Sequence, residues 1–385
     1  MKKGWTYKKL GEVCDVICGQ SPDGKSYNND GNGTPFYQGK KDFTFKYIGV
    51  PTMWTTTATK FAEKGDLLMS VRAPVGDVNF ATQRVCIGRG LAAIRSKGIL
   101  DKDYLFYFLL AKKSSIKGKE GVGFASINKG DIMDIDIEYP VQSKQVHIVS
   151  RLDSAFSHID EMKANAEKLL SEARNLFQKS LDKAMEPKKG WKEMRLKESV
   201  ILITDGDHQP PPKSNEGIPF ITISDINKET RLIIFEDTFH VPQAYYENLK
   251  EDRKPRRGDV LYTVTGSFGI PVLIDFDKEF CFQRHIALIR PKQDELISKF
   301  LYYWILSSYA MSQAEDTATG AAQRTVSLSS LRNFNISIPP LSEQQRIVER
   351  LDALSAHVRE LEENQKKIIS QCDALKQALL RKVFE

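Results

Sequence analysis

Residues Ile338 to Asp352 read IPPLSEQQRIVERLD, and residues Tyr139 to Asp153 read YPVQSKQVHIVSRLD. A proline, a glutamine, an Ile-Val pair and a Leu-Asp pair recur at a constant offset of 199 residues. In each copy the proline ends a short apolar run and the charged residues that follow take up a helical period. A helix entry is therefore written twice, and the chain around it is read as a repeat.

The duplication extends outward in both directions. Gly4-Trp5 and Leu10 recur as Gly190-Trp191 and Leu196. TPFYQGKKDF from Thr34 is echoed by IPFITISDIN from Ile218, and KGDLLMSVRAPVG from Lys64 by RGDVLYTVTGSFG from Arg257. CIGRGLAAIRSK from Cys86 matches CFQRHIALIRPK from Cys281, and YLFYFLLAK from Tyr104 matches FLYYWILSS from Phe300. Short apolar runs punctuated by Gly, Pro, Asn and Asp predict strands in the first part of each half. An aromatic helix over Tyr104 to Leu110 follows, then a Gly-, Lys- and Ser-rich loop and a last strand over Ile132 to Ile137.

After each proline the apolar residues step by alternating four and three, which predicts a coiled-coil seam. In the second half it runs through Ile347, Leu351, Leu354, Val358, Leu361, Ile368, Leu375 and Leu379, and in the first through Ile148, Leu152, Ile159, Met162, Leu169 and Leu176. The second seam is bulky; the first is interrupted by Ala155, Ala166, Ala173 and Ser180, which suits pairing of the two helices with each other. The first helix leaves one globular part and ends where the other begins, so a pair formed between them is antiparallel. The expected fold is α+β: two β-rich domains in tandem pseudo-twofold repeat over 1–140 and 187–338, separated by helices over 141–186 and 339–385 that form an antiparallel coiled coil.

A chain of 385 residues exceeds the size at which one core stops growing, in keeping with at least two domains. The sequence has neither an apolar run long enough for a membrane span nor a signal-like start, so a cytoplasmic location is expected. Five cysteines, an odd number without paired spacing, read as reduced thiols, and Cys86 and Cys281 as small core residues. The net charge is +6, and residues 1–140 hold the whole excess, with 21 Lys and Arg against 15 Asp and Glu. No Walker loop, HExxH, GxSxG or adenine-methyltransferase segment is present, and the six histidines form no ligand spacing. No catalytic centre, metal or cofactor is therefore expected on this chain. Two modules held apart by a spacer suit the reading of two sites along duplex DNA; a coiled-coil adaptor without DNA specificity is the alternative.

The duplicated plan, the PPLSEQQRIVERLD entry at Pro339, the Gly-Asp-Leu-Leu and Gly-Asp-Val-Leu strands and the ending LLRKVFE resemble the DNA-specificity subunits of type I restriction-modification enzymes. The first copy, Pro140-Val141-Gln142-Ser143-Lys144, lacks the second proline and the glutamate. The resemblance implies that 1–140 and 187–338 are target recognition domains reading an asymmetric bipartite target in double-stranded DNA. It also implies docking of two modification subunits, which carry S-adenosylmethionine and methylate adenine, and of restriction subunits through them.

Arg89 and Arg284 occupy the same place in both repeats, which suits either phosphate contacts or domain salt bridges. Base readout is expected where the halves differ. Gln38, Lys40 and Lys41 stand against Thr222 and Ser224; Arg72 is replaced by Thr265; and a loop with Ser126 and Asn128 is replaced by one with Gln323 and Arg324. Arg suits guanine, and Gln or Asn suits adenine. Lys117, in the run Lys112, Lys113, Lys117 and Lys119, is a further phosphate candidate or part of a solvated loop.

Overall fold

The computed structural model describes residues 4–116, 125–206, 208, 211–321 and 323–384. It divides into two compact units, Met1–Glu167 with Lys366–Glu385, and Lys168–Gln365.

In the first unit, β1 (Thr6–Lys9), β2 (Cys14–Cys18), β3 (Thr34–Tyr37), β4 (Leu67–Ser70), β5 (Val78–Phe80), β6 (Val85–Ile87) and β7 (Leu91–Ser96) come first. They are followed by α1 (Lys102–Lys112), α2 (Lys129–Met133), β8 (Asp136–Tyr139) and the start of α3 (Gln142–Met185). The main sheet is antiparallel in the order β2-β7-β4-β5, while β3 and β6 pair in parallel and place Phe36 opposite Cys86. The expected strand over Ile132 to Ile137 resolves into α2 and β8, because Asn128 and Asp131 form a capping box that starts a helical turn there.

The second unit repeats this plan. Its strands are β9 (Lys192–Arg195), β10 (Val200–Asp205), β11 (Ile218–Ile221), β12 (Val260–Thr263), β13 (Pro271–Leu273), β14 (Cys281–Phe282) and β15 (Ile286–Pro291). Then come α4 (Ser298–Leu306), α5 (Ser308–Thr317), α6 (Leu328–Arg332), β16 (Asn335–Ile338) and α7 (Leu341–Phe384). The order β10-β15-β12-β13 and the parallel pairing of Phe220 with Cys281 reproduce the first unit. Cys86 and Cys281 are both buried, and burial pushes the Cys281 thiol up to about 12.

The repeated helix entry is a docking device. Gln145 is buried at the start of α3; its Oε1 accepts from the Asp101 N–H (2.8 Å), and its Nε2 donates to the carbonyls of Pro140 (2.9 Å) and Ile99 (3.3 Å). Gln344, buried at the start of α7, does the same with Ile297 N–H (2.8 Å), Pro339 (2.9 Å) and Glu295 (2.8 Å). Two turns later the Tyr107 hydroxyl donates to Asp153 and the Tyr303 hydroxyl to Asp352, both at 2.6 Å. The shared glutamine and aspartate thus fasten each long helix to the aromatic helix of its own unit.

Within the first unit, Asp160 meets Lys376 and Lys163 meets Asp373 (2.9 Å), so the two helix segments run antiparallel. Phe384 is fully buried there, edge-on to Tyr104 and Phe108. Within the second unit Arg174 pairs with Glu362 at 2.6 Å. Leu152, Ile159, Ile347 and Leu351 of the expected seam are buried, and Ile148, Leu354, Val358, Ile368 and Leu379 are partly so. Met162 (53 % exposed), Leu169 (49 %), Leu176 (59 %), Leu361 (42 %) and Leu375 (46 %) are not. One of the two alternating positions has moved by a residue, so Phe156, Lys163, Phe177, Glu362 and Lys376 lie further inward than the apolar neighbours expected there. The ion pairs of Lys163, Glu362 and Lys376 occupy positions that hydrophobicity alone assigns to Met and Leu.

Candidate nucleic-acid interface

The Gly-Asp strands set up the frame. Asp66, at the start of β4, accepts from the Glu63 N–H and takes a bidentate pair from Arg95 on β7, both arms at 2.7 Å. Asp259 accepts from Arg256 N–H and pairs with Arg290, both arms at 2.8 Å. These shared aspartates and arginines are scaffold, and they fix the starts of β4 and β12, the ends opposite the tips that follow at Arg72 and Thr265.

At each tip three chain segments meet through main-chain hydrogen bonds. In the first unit the Val71 N–H donates to the Gly90 carbonyl and the Ile127 N–H to the Val71 carbonyl, which brings Arg72 into a bridge with Ser126. In the second, Val264 N–H donates to the His285 carbonyl and Val326 N–H to the Val264 carbonyl, which pairs Thr265 with Thr325. Neither bridge is visible in the sequence, because its partners lie far apart in the chain.

Arg72, Ser126, Gln38 and Arg89 are exposed in the first unit, and a depression is lined by Arg72, Ala73, Ala125 and Ser126. Gln38 is held in place: its Oε1 accepts from the Ser21 hydroxyl at 3.0 Å and its carbonyl from Gly90 N–H. A Cβ on Gly90 would lie 2.5 Å from that carbonyl oxygen, so the turn needs glycine. The amide nitrogen of Gln38 has no partner among the described residues and is available to donate. The Arg89 N–H donates to the same Ser21 hydroxyl (3.3 Å), and its guanidinium forms no ion pair among the described residues.

Lys40 (2.5 Å) and Lys113 both pair with Asp77. Burial alone would raise that carboxyl, but the hydrogen bonds from Lys113 and Lys40 outweigh it and hold it below the usual carboxylate value. Lys41 is exposed beside Lys40. The Asn128 side chain is engaged in capping α2, and Lys117, Lys119 and Phe124 fall outside the described residues.

In the second unit Thr222 donates its N–H and hydroxyl to Asp225 and lies 2.7 Å from the Ser224 hydroxyl, which is exposed. Arg284 and Gln323 are exposed; Arg324 donates to the Glu315 carbonyl at 2.6 Å, and its guanidinium carbon lies 5.4 Å from the centre of the Phe268 ring. Thr265, the counterpart of Arg72, is buried. Its neighbour His285, a histidine without a ligand pattern in the sequence, stands half-exposed where the first unit has Gly90. Among the described residues no group of three or more His, Cys, Asp or Glu is placed to hold a metal ion, and no helix is long and apolar enough to cross a membrane.

The profile of the type I restriction modification DNA specificity domain matches residues 2–171 and 188–371, one copy for each half. The chain assigned as the specificity subunit of the type I restriction enzyme MjaX of Methanocaldococcus jannaschii is 39% identical over 174 residues, 44% of this chain and 40% of that one. The type I restriction enzyme EcoDI specificity subunit of Escherichia coli is 22% identical over 410 residues, covering 99% of this chain and 88% of the relative. Among solved structures, a chain from work on complex assembly and conformational transition of the type I R-M system aligns with a TM-score of 0.77 at 22% identity, over 100% of this chain and 98% of its own. The HsdS subunit of Thermoanaerobacter tengcongensis aligns with a TM-score of 0.61 at 20% identity, over 100% and 97%. These two likenesses support the fold.

Proposed function

Because the chain belongs to the type I restriction modification DNA specificity family, matched in both of its halves, we propose that it is the non-catalytic subunit that reads a bipartite DNA target for a restriction-modification complex. The observation that carries this reading is the pair of tips. Both are built on one main-chain frame, yet the exposed side chains differ: Arg72 and Gln38 in one unit, Ser224 and Gln323 in the other. A shared frame with divergent side chains suits two half-sites of different sequence. Residues 1–140 and 187–338 are the recognition domains in this proposal. Arg89 and Arg284 serve as phosphate contacts, and adenine methylation with its S-adenosylmethionine resides on two modification subunits that dock here, with restriction subunits joined through them.

The half-exposed Leu169, Leu176 and Leu361 of the second unit favour a protein partner on the helices, since apolar side chains at regular spacing on an exposed helix face suit a further helix. The adaptor alternative is not favoured by the family match. Selection from a random duplex library, with the chain alone and then with its modification subunit, tests the proposal. Recovery of two short conserved blocks separated by a fixed gap is expected. Retention of all duplexes alike would refute sequence reading.

A further inference from the structure

The buried polar group at the second tip has a consequence for an exposed one. Thr265 is 6 % exposed, and its hydroxyl accepts from the Thr325 hydroxyl at 3.4 Å. A buried hydroxyl also donates its own proton. The His285 Nδ1, 3.1 Å away, is the acceptor within reach. With the Thr265 hydroxyl donating, Nδ1 is the unprotonated nitrogen of a neutral ring and the proton sits on Nε2. Burial, and then the neighbouring Arg284, lower the His285 pKa and so favour the neutral ring. Nε2 has no partner among the described residues, and the ring stands on the turn between β14 and β15, whose main chain is fixed by the bond from Val264 N–H. The two threonines therefore orient an imidazole that has one donor left.

We propose that His285 is a specificity-determining residue, presenting Nε2–H from the second tip to a hydrogen-bond acceptor on a base edge, with Thr265 and Thr325 as its positioning residues. The proposal rests on the DNA-reading function above. The base it faces carries an acceptor in the major groove, N7 or O6 of guanine, N7 of adenine or O4 of thymine; cytosine, which offers an amino donor there, is refused on the contacted strand. The first unit has Gly90 at this place, so the two half-sites are read by different means at equivalent positions.

The test is library selection with the full chain and its modification subunit, comparing wild type with His285→Ala, His285→Phe and Thr265→Val. His285→Phe keeps a ring on the turn and removes both nitrogens, so a folded variant is available if alanine loosens the tip. Both His285 variants should lose roughly tenfold or more of the discrimination at one position of one half-site, with the other half-site unchanged. Thr265→Val, which removes the hydroxyl that orients the ring, should weaken the same position by less. An unchanged motif overturns the inference, and so does equal weakening on all sequences, which marks a phosphate contact. Failure of the wild type itself to select a motif overturns the DNA-reading function beneath it, a result distinguishable from both.

Discussion

Adjacent glutamines in the repeated helix entry offer an internal comparison. Gln344 is fully buried and makes three hydrogen bonds, to Ile297 N–H and the carbonyls of Glu295 and Pro339; Gln345 is exposed and donates only to Glu349 on its own helix. Gln344→Leu is close in size but leaves those three main-chain groups without partners. Pro339 is buried and Ile297 partly so, while Glu295 lies at the surface, where its carbonyl regains water. Two unsatisfied groups at about 1–3 kcal/mol each give a cost of about 2–6 kcal/mol. Gln345→Leu should cost under about 0.5 kcal/mol, the scale of a surface i,i+4 pair. Gln344→Glu should be no better than leucine, since a carboxylate keeps the bond from Ile297 and repels two carbonyls. Urea unfolding measures the stability difference, and hydrogen exchange at the Ile297 amide reads the local bond. If Gln344→Leu and Gln345→Leu unfold at the same midpoint, or the Ile297 amide stays protected, the docking role is refuted.

Further expectations follow the same physical lines. Gln145→Leu should repeat the pattern in the first unit, with the Asp101 amide as reporter. Arg290→Ala strands Asp259, 2 % exposed at its side chain, and should cost about 3–5 kcal/mol in thermal or urea unfolding; Asp66→Ala should cost less, because the Arg95 side chain is 43 % exposed and rehydrates. Phe384→Ala empties a fully buried ring site and should cost about 3–5 kcal/mol, with loosening reported by exchange in α1. Arg72→Ala should relax one position of the first half-site by about 1–3 kcal/mol in library selection, whereas uniform weakening would make it a phosphate contact. Burial raises the thiols of Cys14 and Cys281 to about 12 from 9.0, so both should resist thiol reagents at pH 8 until unfolding. The folded pKa being the higher, their contribution to stability is complete below 9.0 and should be lost as pH rises toward 12.

Much of the architecture is legible in the sequence because duplication records it. The parallel placement of Cys86 and Cys281, the aromatic helices and the two long helices all follow from aligning the chain with itself. What pattern reading misses is of three physical kinds. Seam phase is ambiguous where four-three spacing has two settings, and hydrophobicity selects Met162, Leu361 and Leu375 over the ion-paired Lys163, Glu362 and Lys376 that lie further inward. Local capping at Asn128 competes with strand formation and engages a side chain that composition alone offers to adenine. Tertiary pairing hides Thr265 and exposes His285, a reversal carried by a bridge to Thr325 that no local pattern contains.

The tips are registered by peptide groups: Val71 to Gly90 and Ile127 to Val71 in one unit, Val264 to His285 and Val326 to Val264 in the other. A lattice fastened by amides and carbonyls is indifferent to what hangs from most of its nodes. On the proposed function, substitution at Arg72, Ser126, Ser224 or Gln323 then rewrites a vocabulary while leaving the grammar of the fold intact, and the gradient of mutational tolerance should be steep. It should be permissive at those four side chains and abrupt at the buried Val71, Ile127, Val264 and Val326, whose peptide groups form the frame, so that a lineage carrying this chain acquires new words by point change without forfeiting the fold.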